Sequence, residues 1–170
     1  MLMDIAIIPL SKNVYQDLFK FEQYNWNYFT QTVGERPDSY RNYDSFICTQ
    51  NDILKEQAKS DIAFYVIYQQ GKLVGRINLR DIESSKANLG YRICQSAVGK
   101  GIATLAVKEI IAIAIQIGIK QINAVVSETN PASEKVLLKN GFEYSHTEND
   151  AVSLNDTMIN IRHFYKLLAT

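Results

Sequence analysis

The order in which strands and helices follow one another constrains this chain most. Ile62 to Tyr68 and Leu73 to Leu79 are β-rich runs on either side of Gln69-Gln70-Gly71-Lys72. They predict an antiparallel hairpin closed by a glycine-containing turn. A third β-rich run, Ala87 to Cys94, follows the polar stretch Asp81 to Lys86. Beyond it the pattern changes. Gly101 to Ile117 is too long for an ordinary strand and predicts a helix. Gln121 to Ser127 predicts a strand, and Asn130 to Asn140 a short helix with clear ends. Asn130 can cap that helix, Pro131 suits its first turn, and Gly141 supplies a left-handed exit. Phe142 to Thr147 and Ile159 to Leu168 predict closing strands. Strands joined first by hairpins and later by helices imply a mixed α/β (α+β) fold, a mostly antiparallel twisted sheet with helices on both faces.

The N-terminal part fits this layout. Ile5 to Pro9 reads as a first strand. From Lys12 to Thr32, Val14, Leu18, Phe21 and Phe29 recur near helical spacing, with Trp26 between them. Gly34 to Tyr43 reads as a loop, and Asp44 to Lys59 as a second helix with Asp44 as its cap. The chain has 170 residues, 46% apolar and 21% charged, which fits a single domain over residues 1–170 with a real core. Its formal net charge is zero, so no global field draws it to nucleic acid or to an anionic membrane. The apolar run Ile102 to Ile119 is broken by Lys108, Glu109 and Gln116, and suits a buried helix better than a membrane span. Cys48 and Cys94 have no metal-binding spacing, so no metal is expected. The N-terminus lacks a basic region and meets Pro9 early, so a cytoplasmic protein with reduced thiols is expected, as a monomer or homodimer.

The sharpest local feature is Ala97-Val98-Gly99-Lys100-Gly101-Ile102-Ala103, between a predicted strand and the long helix. The first amides of a helix have no internal partners, and the helix dipole makes that end positive. Two glycines let the backbone approach a phosphate closely. Together these features suit an anion, although a glycine turn that merely starts a helix has the same sequence. The spacing is neither GxxxxGK[ST] nor GxGxxG. Lys100 points by default to solvent.

From Leu89 through Tyr144 the chain resembles the GNAT superfamily of acetyl-CoA-dependent N-acetyltransferases. The resemblance rests on Val98-Gly99-Lys100-Gly101-Ile102-Ala103, followed by Asn130-Pro131-Ala132-Ser133 and Lys139-Asn140-Gly141-Phe142. Arg36-Pro37-Asp38-Ser39-Tyr40, Val74-Gly75-Arg76-Ile77-Asn78-Leu79 and Leu89-Gly90-Tyr91-Arg92 resemble the branch that includes ribosomal-protein alanine N-acetyltransferases. The resemblance implies a three-layer fold whose third strand, Ala87 to Cys94, splays from Gln121 to Ser127. The pantetheine arm of acetyl-CoA would lie in that cleft, against the backbone of Tyr91, Arg92 and Ile93. The phosphates would sit on the amides of Val98, Gly99, Lys100, Gly101, Ile102 and Ala103, and Asn130 would bond the pantetheine arm.

The chemistry requires a neutral amine, donors for an oxyanion and a proton for the departing thiolate. Many members of the superfamily place a tyrosine seven residues after the motif asparagine as that proton donor. Here the position is Leu137, which cannot donate. Ser133 matches the serine of the ribosomal-protein branch and shares a helix face with Leu137, so it is expected to serve the thiolate. The competing expectation is a first-turn serine that bonds backbone. The base is left open among His146, Glu148, Asp150 and a position near Val152. A histidine's ordinary pKa suits proton transfer near neutrality, but a strand histidine is more often a surface residue. His163 is expected to be structural. Tyr24, Trp26 and Tyr28 line either the acceptor wall or the core.

An α-amine near pKa 7.8 is roughly 14% neutral at pH 7, and a lysine near 10.4 about 0.04%. A site with few bases therefore suits an N-terminal amine, such as that of a protein. An antibiotic, polyamine or amino acid acceptor, or a CoA-binding module without turnover, are the alternatives.

Overall fold

The computed structural model describes residues 4–169. Seven strands form one sheet in the order β1-β2-β3-β4-β5-β7-β6. β1 (Ala6–Pro9), β2 (Ala63–Gln69), β3 (Lys72–Glu83) and β4 (Lys86–Ile93) are antiparallel neighbours. β5 (Gln121–Ser127) lies parallel to β4, and β7 (Thr157–Leu167) and the edge strand β6 (Glu143–Leu154) complete an antiparallel end. The helices are α1 (Tyr15–Tyr24), α2 (Trp26–Thr32), α3 (Tyr43–Ala58), α4 (Ile102–Gln116) and α5 (Pro131–Lys139).

The sheet is filled on both faces because successive strand residues point opposite ways. Ile77, Leu79, Ile122, Ile102, Ala106 and Ile110 are buried where α4 packs on β3 and β4. Phe21, Phe29, Phe46, Phe64 and Val66 are buried beside α1 to α3. Each fully buried valine, leucine, isoleucine or phenylalanine side chain contributes about 1.5–3 kcal/mol.

Four local expectations change. The first helical stretch breaks at Asn25, whose Nδ2 donates to the Phe21 carbonyl at 2.9 Å. α3 is capped by Asn42, not Asp44: the Asn42 side chain accepts from the Ser45 amide at 2.9 Å, and Asp44 falls in the first turn. The stretch Asp81 to Lys86 is not a loop between strands but the end of a hairpin. β3 continues to Glu83 and turns through Ser84 and Ser85, both with positive φ. The closing strands are likewise longer and form one hairpin turned by Asn155 and Asp156, also at positive φ. Paired positive φ values match the right-handed twist of hairpin strands.

Candidate active site

The site begins where β4 and β5 part. Their parallel pairing runs from Lys86 with Gln121 to Leu89 with Ala124 and stops there. β4 continues to Ile93 against β3, and β5 continues to Ser127 against β7. Gly90, Tyr91, Arg92 and Ile93 thus present an edge with no strand beside it. An extended, amide-bearing arm fits that edge as an added strand.

Adjacent β4 residues serve opposite faces of the sheet. Tyr91 reaches α5, where its hydroxyl lies 2.6 Å from Ser133 Oγ and donates to the Ser133 carbonyl at 3.3 Å. Burial pushes the Tyr91 phenol up to about 12, against the opposing effect of the Ser133 hydrogen bond. Asn130 Oδ1 accepts from the Ser133 amide at 3.1 Å, so Asn130 both caps α5 and fixes Ser133. The Ser133 hydroxyl faces Tyr91 rather than returning to its own helix backbone. Leu137, which stands seven residues after Asn130 in place of a tyrosine, is core at 1% exposure.

The glycine loop continues from this edge. Gly99 and Gly101 both have φ +78°, and a Cβ built on Gly99 meets no atom within 4 Å. The first bond of α4 runs from the Leu105 amide to the Gly101 carbonyl at 3.1 Å. The amides from Gly99 to Thr104 have no hydrogen-bond partner among the described residues. Val98, Gly99, Lys100 and Gly101 are exposed, Ala103 is half-buried, and Ile102 is buried and anchors the helix start. A free β edge leading to unpartnered amides fits a pantetheine arm ending in a pyrophosphate.

His146 is not brought to this pair. It lies on the edge strand β6, with β7 between it and β5. Its ring stacks on His163 at 4.2 Å, and its Nδ1 lies 3.0 Å from Ser145 Oγ. His163 stands nearer the cleft, paired in register with Val125 of β5, and its Nε2 lies 3.2 Å from Glu148 Oε2. By strand alternation these histidines lie on the face opposite Ser133. Trp26 and Tyr28 pack partly against the core, whereas Tyr24 is 88% exposed and borders a hollow of about 680 Å³ with Asn25, Cys94 and Gln95. That hollow includes neither Tyr91 nor Ser133; the site is defined by the strand gap.

The sequence did not reveal a buried charge cluster on the α1–α2 face. Arg36 donates to Glu22 Oε2 through Nε at 3.0 Å and Nη2 at 2.8 Å. Arg76 Nε stands 3.4 Å from Glu22 Oε1, and the Arg92 guanidinium lies 5.3 Å from the Phe29 ring centroid. Burial, then Arg76 and Arg36, push Arg92 down to about 9, and burial lowers Arg36. The available signal was arginine inside β-rich runs, at Arg76 and Arg92. Asn25 was missed as well: its Oδ1 accepts from the Gln95 amide at 3.0 Å and ties the α1–α2 break to the end of β4.

No helix among the described residues is long and apolar enough to cross a membrane, and none of their His, Cys, Asp and Glu side chains cluster as a metal site. The family model described as an acetyltransferase (GNAT) domain matches residues 7–143. No curated protein sequence matches the chain. Among solved structures, a ribosomal-protein-S5-alanine acetyltransferase from Vibrio fischeri has a TM-score of 0.90 at 15% identity, covering 96% of this chain and 92% of that one. RimL, a ribosomal L7/L12 α-N-protein acetyltransferase solved with coenzyme A, has a TM-score of 0.87 at 19% identity, covering 96% and 94%. A spermidine N-acetyltransferase from Vibrio cholerae, solved with CoA and spermine, has a TM-score of 0.82 at 17% identity, covering 96% and 95%.

Proposed function

The chain belongs to the GNAT acetyltransferase family and is an acetyl-CoA-dependent N-acetyltransferase; from that premise we propose that it acetylates the α-amine of a protein or peptide N-terminus, with Tyr91 and Ser133 protonating the thiolate. The 2.6 Å contact between the two hydroxyls beside the unpaired β4 edge carries this reading. Acetyl-CoA supplies an activated acyl carbon and a thiolate leaving group. The free backbone of Gly90 to Ile93 holds the pantetheine arm, and the amides from Gly99 to Ala103 hold the pyrophosphate; the Val98 amide, expected to join them, is instead taken by the Gln95 carbonyl at 3.4 Å. The acceptor nitrogen bonds to the acyl carbon as the carbon–sulfur bond breaks. The Ser133 hydroxyl gives its proton to sulfur and takes one from the Tyr91 hydroxyl, which is then reprotonated from solvent; burial keeps the Tyr91 phenol protonated between turnovers.

The acceptor class follows from the scarcity of bases. Glu22 is the one buried carboxylate among the described residues, and it is engaged by Arg36. Without a buried base, an amine already partly neutral reacts best. The V. fischeri and RimL acetyltransferases, which act on ribosomal proteins, fit the same reading. The amine's proton passes to solvent. Free Cys48 and Cys94 suit a reducing, cytosolic setting.

The test is acetyl-CoA-dependent thiol release against N-terminal peptides, polyamines and aminoglycosides. Peptides are expected to give the highest kcat/KM. A polyamine or aminoglycoside that outpaces every peptide overturns the acceptor assignment. Gly99→Val tests the loop by calorimetry with CoA: the added Cβ meets no protein atom within 4 Å, so a large loss of affinity reports the phosphate and the +78° backbone. Unchanged affinity removes the loop from the site.

A further inference from the structure

We propose that Arg92, backed by Arg76 and Arg36, binds a carboxylate of the acceptor, so that this chain selects amines that carry a negative charge close by. The inference rests on acetyl transfer at the β4–β5 gap and narrows the acceptor class.

The charges do not balance without such a ligand. Three guanidiniums surround one carboxylate, which leaves two positive charges uncompensated. Side-chain exposure is 1% at Glu22, 4% at Arg36 and 13% at Arg76. Glu22 is already committed to Arg36 by two hydrogen bonds. Arg92 has no hydrogen-bond partner among the described residues, and its Nη1 is fully buried. An aromatic ring stabilises a guanidinium only modestly and offers no acceptor in its plane. Unpaired buried charge is costly, and a bidentate carboxylate is the usual remedy.

The position fits an acceptor. Arg92 lies beyond Leu89, the last β4 residue paired with β5. Its side chain projects to the α1–α2 face, whereas neighbouring Tyr91 projects to Ser133 on the other. The two ends of the reaction are therefore divided across one strand, thiolate protonation on one face and acceptor recognition on the other. Glu22 and Arg36 are sealed, whereas Arg92 as a residue is half-buried, with its unpartnered Nη1 covered. Arg76 pairs in register with Arg92, and Asn78 with Gly90, which sets Arg76 and Asn78 one strand behind the gap, on the same face of the sheet as Arg92. Asn78 Oδ1 is buried without a partner, 3.0 Å from where a Gly90 Cβ would stand. An unused acceptor beside an unused cation matches a ligand with an N–H donor and a carboxylate. A polyamine would add like charge to this cluster.

The carboxylate can belong to an acidic side chain near a peptide's N-terminus or to a free amino acid. Two probe pairs separate these sources. One is a C-terminally amidated tetrapeptide with alanine first and glutamate or glutamine second; the other is alanine and alaninamide. Each is assayed for thiol release and titrated calorimetrically into CoA-saturated protein, using the native chain, Arg92→Gln and Arg92→Lys. At least one acid is expected to exceed its uncharged partner about tenfold or more in kcat/KM, the scale of one charge-assisted hydrogen bond. That preference should collapse in Arg92→Gln through a raised acceptor KM and return in part with Arg92→Lys. Equal use of acid and uncharged partner by the native chain overturns the inference while leaving acetyl transfer intact. Arg92-dependent binding of an acid without transfer to any probe keeps the anion site and overturns the N-terminal acceptor reading. Binding of no acid, or binding unaffected by Arg92→Gln, overturns the anion site.

Discussion

Tyr91 and Ser133 form their contact where β4 and β5 part, and burial keeps the Tyr91 phenol protonated to about pH 12. Removing either hydroxyl should lower kcat about 10²-fold, the usual contribution of a positioned proton donor, and change the acetyl-CoA KM less. If the two act as one relay, the double variant Tyr91→Phe with Ser133→Ala should lose scarcely more than either single variant in steady-state kinetics. Full additivity would make them independent. The raised phenol also fixes a sign for stability. Its contribution is fully present below pH 10, where the unfolded phenol begins to ionise, and is lost as the pH climbs toward 12. Tyr91→Phe should therefore flatten the alkaline fall in urea-melt stability between those values. Ser133 was legible from its place after Asn130. The Tyr91 side chain was not, because its partner lies 42 residues away and the contact forms only when that side chain reaches across to α5, which packs on α4 and β5.

At the scale of elements, α5 was readable from local signals alone, since Asn130, Pro131 and Gly141 mark its ends in the chain itself. The β6–β7 hairpin was readable only in part. β6 is a free edge and is exposed along nearly its whole length, so it lacks the apolar alternation that announces a strand. Asp44 read as the cap of α3 because it precedes an apolar run, but the extended backbone of Asn42 places its side chain on the Ser45 amide. Asn130 has two tasks, a cap and a proposed contact to the pantetheine arm, and substitutions can separate them. Asn130→Ala should cost about 1 kcal/mol in urea unfolding through the lost cap and lower kcat as Ser133 loosens. Asn130→Asp keeps an acceptor for the Ser133 amide and should recover the stability. A raised acetyl-CoA KM that persists in Asn130→Asp assigns the Asn130 Nδ2 to the cofactor; full recovery leaves it a cap.

At the scale of the molecule, the mixed sheet could be inferred from the switch between hairpin and helix connections, because connection type restricts strand direction. The charge cluster could not, because residues 22, 36, 76 and 92 come from a helix, a loop and two strands that meet only after folding. Its energetics are asymmetric. Glu22 is the single anion among three cations, so Glu22→Gln leaves a wholly uncompensated buried charge and should destabilise the fold by about 3–5 kcal/mol at neutral pH. Arg92→Gln instead removes a guanidinium that burial and two like neighbours already disfavour. Its stability by urea unfolding should equal or exceed that of the native chain. The comparison separates two roles for the arginine. A brace between α2 and β4 would weaken the fold when removed, much as loss of Glu22 does. A group held ready for an incoming anion should be dispensable to the empty fold and needed only when that anion binds.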